Sequence, residues 1–218
     1  MKMLSVVLMA LALVLGVGAA ANAAPYVSLN MGTVWVNDSE YSYSENGYDY
    51  TYRDEGEFSF DTGFVLTAAF GYAYDNGFRT ELEYGFRAND LDKAEGTESY
   101  QDFYGKDSND YSESLDGDVM TNSLMFNGFY DFAPRSSVSP FVGAGIGFAN
   151  IEGDIDFQGK EDDNVFAYQL AAGVAFALNP KMKIDLQYRF FGTEDPDFYG
   201  LEAEYITHNV MIGLRTSF

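Results

Sequence analysis

The stretch from Phe78 to Asn89, FRTELEYGFRAN, limits what this chain can become more than any other. Taken at alternate positions, one side carries Phe78, Thr80, Leu82, Tyr84, Phe86 and Ala88; the other carries Arg79, Glu81, Glu83, Gly85, Arg87 and Asn89. A period of two over this length predicts a β-strand with chemically opposite faces. Four charges on one face rule out an ordinary soluble core, because unpaired buried charge is very costly. The uncharged face is equally ill suited to water. A closed barrel in a membrane reconciles the two: the apolar face meets lipid, and the charged face points inward, where opposite signs pair.

The same alternation recurs along the chain. Strands are predicted over about 25–36, 61–74, 78–89, 119–132, 140–150, 165–178, 183–191 and 205–218. Val27, Leu29, Met31 and Trp35 share the outward side of the first, and Ile184, Leu186, Tyr188 and Phe190 that of the seventh; Asp185, Gln187 and Arg189 face inward. Asp75-Asn76-Gly77 is a tight-turn signal. Asn127-Gly128 reads as strand interior, because the apolar parity runs through it. Gly143, Gly145 and Gly147 fall on the inward side of one strand, and the expected reason is room for long arginine side chains in a narrow lumen. Eight strands of this length fit an all-β, antiparallel, up-and-down transmembrane barrel. A soluble lipocalin-like barrel would put the apolar side inside. Aromatic residues gather near the strand ends as two interfacial girdles.

Before the first strand, Lys2, the apolar run Leu4–Val17 and Ala21-Asn22-Ala23 have the form of a secretory signal, so residues 1–23 are expected to be removed and 24–218 to form the barrel. The chain has no cysteine and a single histidine, His208, which leaves little for nucleophilic or transition-metal chemistry, and its net charge of −22 argues against nucleic acid. No catalytic, cofactor or metal residue is assigned.

Five segments in barrel order, RTELEYGFR (79–87), SLMFNGFYDF (123–132), SPFVGAGIGFA (139–149), IDLQYRFFGT (184–193) and HNVMIGLRTSF (208–218), carry a resemblance to the opacity-protein and OmpA-like family of small outer-membrane β-barrels. The resemblance covers nearly all of the expected mature chain. It implies insertion among outer-membrane lipids and lipopolysaccharide, and it makes the terminal Phe218 look like the signal read by the outer-membrane assembly machinery; Phe218 also reads as a girdle aromatic. A periplasmic peptidoglycan-binding domain is not expected. Lipid A deacylases use an outward His and Ser on such barrels, but two residues beyond His208 stands Val210, so that pattern fails.

Of the 34 carboxylates, 28 fall in segments 37–60, 90–118, 152–164 and 192–204, which hold only Arg53, Lys93, Lys106 and Lys160 as bases. These read as four long acidic extracellular loops, since long loops lie outside in such barrels. Segment 107–118 lacks the spacing of an EF-hand. In the first loop, alternation around Asn46-Gly47 predicts a hairpin that pairs Tyr43 with Tyr50 and Tyr41 with Tyr52; with Tyr48 these form a tyrosine-bearing surface for adhesion.

Inward charges are Arg79, Glu81, Glu83, Arg87, Asp131, Asp185, Arg189 and Arg215, four of each sign. Balanced charge in so narrow an interior predicts a paired network that fills the lumen, with Arg189 and Arg215 meeting Glu81, Glu83 and Asp185. The expected function is structural or surface-interacting, in a monomer, with a small nonspecific pore as the alternative and lipid-modifying catalysis behind both. The extracellular ligand is not legible.

Overall fold

The computed structural model describes residues 23–114, 117–155, 159–198, 201–202 and 205–218. Residues 1–22, most of the expected signal, lie outside the described residues; Ala23, its expected last residue, opens the first strand.

All regular structure among the described residues is β. The chain runs β1 (Ala23–Val36), β2 (Ser39–Asn46), β3 (Tyr50–Phe60), β4 (Gly63–Tyr74), β5 (Phe78–Asp102), β6 (Gly105–Ser114) and β7 (Gly117–Asp131). It continues with β8 (Val138–Ile155), β9 (Gly159–Ala177), β10 (Met182–Thr193), β11 (Asp197–Phe198), β12 (Leu201–Glu202) and β13 (Ile206–Ser217). Eight of these close a barrel in the order β1-β4-β5-β7-β8-β9-β10-β13, every neighbour antiparallel. Closure comes from the first and last strands, paired from Tyr26↔Ser217 to Val36↔Thr207. Closure leaves the staves no edge, which a bilayer requires, because no water is there to bond a free N–H or C=O.

The faces follow the parity of the sequence. Leu29, Met31, Ile146, Leu170, Leu186 and Ile212 are outward and exposed, while Arg87, Glu83 and Arg189 are no more than 1% exposed. Short turns close one end. Gly77, at φ +91°, takes the left-handed conformation that glycine adopts without strain, and its N–H donates to Tyr74 O at 3.1 Å. Asn179 Oδ1 accepts from the N–H groups of Lys181 and Met182, both at 2.9 Å. Asn127 and Gly128 lie inside β7, opposite Glu81 and Thr80.

At the other end the chain departs from the expected loops. β5 does not stop near Asn89 but runs to Asp102, and β8 and β9 pair as far as Ile155↔Gly159. The acid that marks these segments as loops sits on strands whose alternation and tyrosine, serine and threonine content carry pairing beyond the membrane. The expected hairpin is present as β2–β3, but its docking is a second departure. It docks on the extension of β5 (Tyr50↔Asp102 to Phe58↔Ala94), and β6 pairs the other edge of β5, so a four-stranded sheet β2-β3-β5-β6 continues past the barrel.

Candidate functional site

Two places concentrate unusual chemistry: the lumen and the sheet beyond it. Within the lumen, Arg79 Nε donates to Asp131 Oδ1 at 3.0 Å, and Arg215 Nη2 donates to Asp185 Oδ1 at 2.9 Å. Arg189 Nη1 reaches both carboxylate oxygens of Glu83, Oε1 at 2.6 Å. Buried ion pairs of this kind gain from further hydrogen bonds to their remaining polar atoms, and amides supply these around Glu83 and Arg189: Arg189 Nε donates to Gln187 Oε1 at 3.2 Å. Gln169 Nε2 donates to Glu83 Oε1 at 3.1 Å and to Asn127 Oδ1 at 2.6 Å, and Gln187 Nε2 donates to Asn30 Oδ1 at 3.0 Å.

Two predicted members stand outside these ion pairs. Glu81, expected to meet Arg189 or Arg215, instead accepts from Tyr26 Oη at 2.8 Å and Asn127 Nδ2 at 3.2 Å. Arg87 bonds neutral oxygens, Asn209 Oδ1 and Ser123 Oγ, both at 3.2 Å, and lies over the Phe191 ring at 3.8 Å. The reason lies in the register: Glu81 stands opposite Gly71 and Asn127, and Arg87 opposite Val65 and Thr121, so neither has an opposite charge on a neighbouring strand.

Aromatic side chains complete the filling. A Cβ on Gly143 would run into the Phe129 ring, one on Gly145 into Asn127, and one on Gly147 into the Leu124 carbonyl and Met125. The glycines therefore admit β7 side chains rather than arginines directly; Phe129, seated over Gly143, in turn carries the Arg79 guanidinium at 4.5 Å. Above Arg87 the inside turns apolar: Val36, Ile151, Val165, Phe191 and Tyr205 form one buried cluster with Met125. The inward parity of Tyr26, Phe129, Phe141 and Phe191 was the signal for these residues, and attention to charge alone passes over it.

On the sheet beyond the barrel, the tip is tied by Gly47 N–H to Tyr50 O at 2.9 Å, not by a turn centred on Asn46-Gly47. Asn46 is a strand residue opposite Thr51 and accepts its hydroxyl at 3.0 Å. Tyr43 consequently faces Asp54, and Tyr41 pairs with Gly56, rather than Tyr50 and Tyr52. The shift is by an even number of residues, so the tyrosine face survives it. Register places Tyr43, Tyr50, Tyr52, Tyr100 and Tyr111 on one face with Glu45, Asp54 and Glu98; Arg53, Lys93 and Lys106 fall on the opposite face. Tyr50 and Tyr100 stack at 5.6 Å and 18°, and Tyr43 lies 6.3 Å from Tyr52. Tyr50 Oη donates to Glu45 Oε1 and Tyr111 Oη to Asp54 Oδ1, both at 2.9 Å. Partial desolvation, and then Glu98, push the Asp54 carboxyl up from its ordinary value. Tyr48 stands fully exposed at the tip. Tyr100 and Tyr111 were missed because they arrive from a segment read as loop.

His208 is on the barrel's outer face, its Nδ1 within 2.6 Å of Tyr188 Oη and its ring stacked on that tyrosine. Phe218 is exposed just past β13, and its N–H donates to Pro25 O at 3.1 Å.

Residues 6–218 match the protein family described as outer membrane protein beta-barrel domain. A Rickettsia conorii protein named as a candidate adhesin is 27% identical over 213 residues, 87% of this chain and 80% of that protein. An uncharacterized Brucella abortus protein is 25% identical over 191 residues, 79% of this chain and 66% of its own length. Among solved structures, Neisserial surface protein A superposes with a TM-score of 0.53 at 16% identity, covering 89% of this chain and 97% of that one, a likeness of fold. The closed barrel with its lipid-type exterior and this match over nearly the whole sequence assign the chain to the outer membrane protein β-barrel domain family, placed in the cell outer membrane.

Proposed function

We propose that this protein is a surface-interaction barrel: a filled, non-conducting scaffold in the outer membrane that holds the sheet β2-β3-β5-β6 outside the cell as its working surface. Residues 1–23 act as a cleaved export signal in this reading, and the long-loop end faces the medium. The observation that carries it is the register of the sheet, which puts Tyr43, Tyr50, Tyr52, Tyr100 and Tyr111 with Glu45, Asp54 and Glu98 on a face free of bases, while Arg53, Lys93 and Lys106 share the other face with Glu55, Glu57, Glu95 and Asp110. Tyrosine offers broad contact area at small entropic cost, and its ring attracts a cation that a neighbouring carboxylate also holds. The face suits a lysine- or arginine-rich partner, not a polyanion. The candidate-adhesin name of the Rickettsia conorii relative is in line with a contact role.

The test is surface plasmon resonance of the intact protein in nanodiscs over immobilised polylysine and heparin. Binding to polylysine, weakened about tenfold by replacing Tyr43, Tyr50 and Tyr100 with Ser, supports the reading. Equal binding by the variant, or preference for heparin, overturns it.

A further inference from the structure

Five of the chain's 12 lysines and arginines converge at the end opposite the acidic segments. A cavity of about 270 Å³ opens at the short-turn mouth of the lumen, lined by Arg79, Arg135, Lys181, Lys183 and Arg215. Against these five bases only Asp75 and Asp131 contribute acid to its wall, in a chain whose net charge is −22. Asp131 serves two guanidinium groups at once, Arg79 through Oδ1 at 3.0 Å and Arg215 through Oδ2 at 3.5 Å. Even with Asp185 engaged, Arg79 Nη2 and Arg215 Nε have no acceptor in the protein, and both side chains are only 4% exposed. Lys183 Nζ has settled on a neutral acceptor, Pro134 O, at 3.1 Å. Buried cationic donors without acceptors cost free energy, and excess positive charge compounds that cost.

We propose that this mouth is a binding site for a phosphate-type oxyanion, held by Arg79, Arg215 and Lys183 with Arg135 and Lys181 at the rim. Several directed donors around one small volume match the oxygens of such an ion far better than they match chloride. The Arg79 guanidinium is already fixed between Phe129 at 4.5 Å and Phe141 at 5.2 Å, so little ordering remains to be done on binding. Tyr74 and Phe78, neighbours of the lipid-facing girdle, line the same cavity, so the oxyanion is either a free ion or the phosphate of an adjacent lipid headgroup.

The experiment uses isotope-labelled protein in maltoside micelles, which contain no phosphate. Inorganic phosphate is titrated in while chloride holds the ionic strength constant, and the arginine Nε–H resonances are followed. Saturable shifts of Arg79 and Arg215 are expected. The double variant Arg135→Gln/Lys181→Gln, both exposed turn residues, should keep the barrel's circular dichroism and bind phosphate up to about tenfold more weakly. Shifts that stay linear and match those of chloride overturn the site, as does unchanged affinity in the folded variant. Nanodiscs containing phosphatidylglycerol separate the two sources. Resonances already displaced before phosphate is added identify the headgroup, and displacement only on adding phosphate identifies the free ion.

Discussion

Glu83 and Glu98 belong to the same strand and live in opposite electrical surroundings. Glu83 is buried against Arg189 with Gln169 beside it, whereas Glu98 sits on a face with Asp54, Glu45 and tyrosine and no cation. The difference is dielectric. Inside the barrel a charge needs an opposite charge or directed neutral partners, so Glu83, Asp131 and Asp185 meet arginines, while Glu81 and Arg87 are held by hydrogen bonds to neutral side chains. Above the membrane, water screens like charges at modest cost, and sequence is free to segregate them. Stability is therefore expected to concentrate in the lumen, and the proposed contact surface lies where charge pattern is less constrained.

The sharpest way to break this contrast is to remove one carboxylate from each region. Glu83→Ala strands Arg189 in the lumen and should cost about 3–5 kcal/mol in urea unfolding from lipid vesicles. Glu98→Ala should change the same midpoint by less than about 1 kcal/mol. Equal losses would mean the lumen network is not the barrel's support. Planar-bilayer recording extends the test: the unaltered protein should give no large steady conductance, and Glu83→Ala should raise it.

A smaller effect is expected from packing. Gly143→Val forces the Phe129 ring aside and should destabilise by about 1–3 kcal/mol. Gly128→Ala points outward into open space and should be neutral or slightly stabilising in the same unfolding assay, since glycine disfavours a strand interior.

Smaller still, Tyr50→Ser removes the stack on Tyr100 and should loosen the outer sheet by about 0.5–1.5 kcal/mol. Amide exchange should quicken in β2, β3 and the far half of β5 while the barrel amides stay protected.

The least effect is on pH. Desolvation and then Glu98 raise the Asp54 carboxyl, so its ionisation weakens the folded sheet as pH rises through the folded value. Hydrogen bonds from Lys93 and then Ser112 lower Glu95, so its contribution is present above the unfolded value and is lost as pH falls through the folded one. Carboxyl NMR should find Asp54 titrating above, and Glu95 below, their ordinary values.

Much of this was legible beforehand because a strand's period of two is local. Residues 78–89 separate lipid from lumen by parity alone, and closure of such strands in a bilayer leaves few alternatives. Parity likewise put Arg79, Glu83, Asp131, Asp185, Arg189 and Arg215 inside. What it could not supply was depth along the barrel axis, because depth depends on how far each strand is staggered against its neighbours. Hence Glu81 was matched with arginines to which it makes no ion pair, and Arg87, counted in the paired network, bonds Asn209 and Ser123 beside Phe191 instead.

Sequence by itself determined which side of each barrel strand is greasy, how many strands close the barrel, and that the acid collects at one end, since all three rest on residue order and spacing. Tertiary structure alone decided partnership: which carboxylate meets which arginine, that β2 and β3 dock on an extended β5, and that five cations gather round one cavity. Those contacts join residues far apart in the chain, and their geometry is fixed only when β1 meets β13 and the stagger of the whole barrel is set.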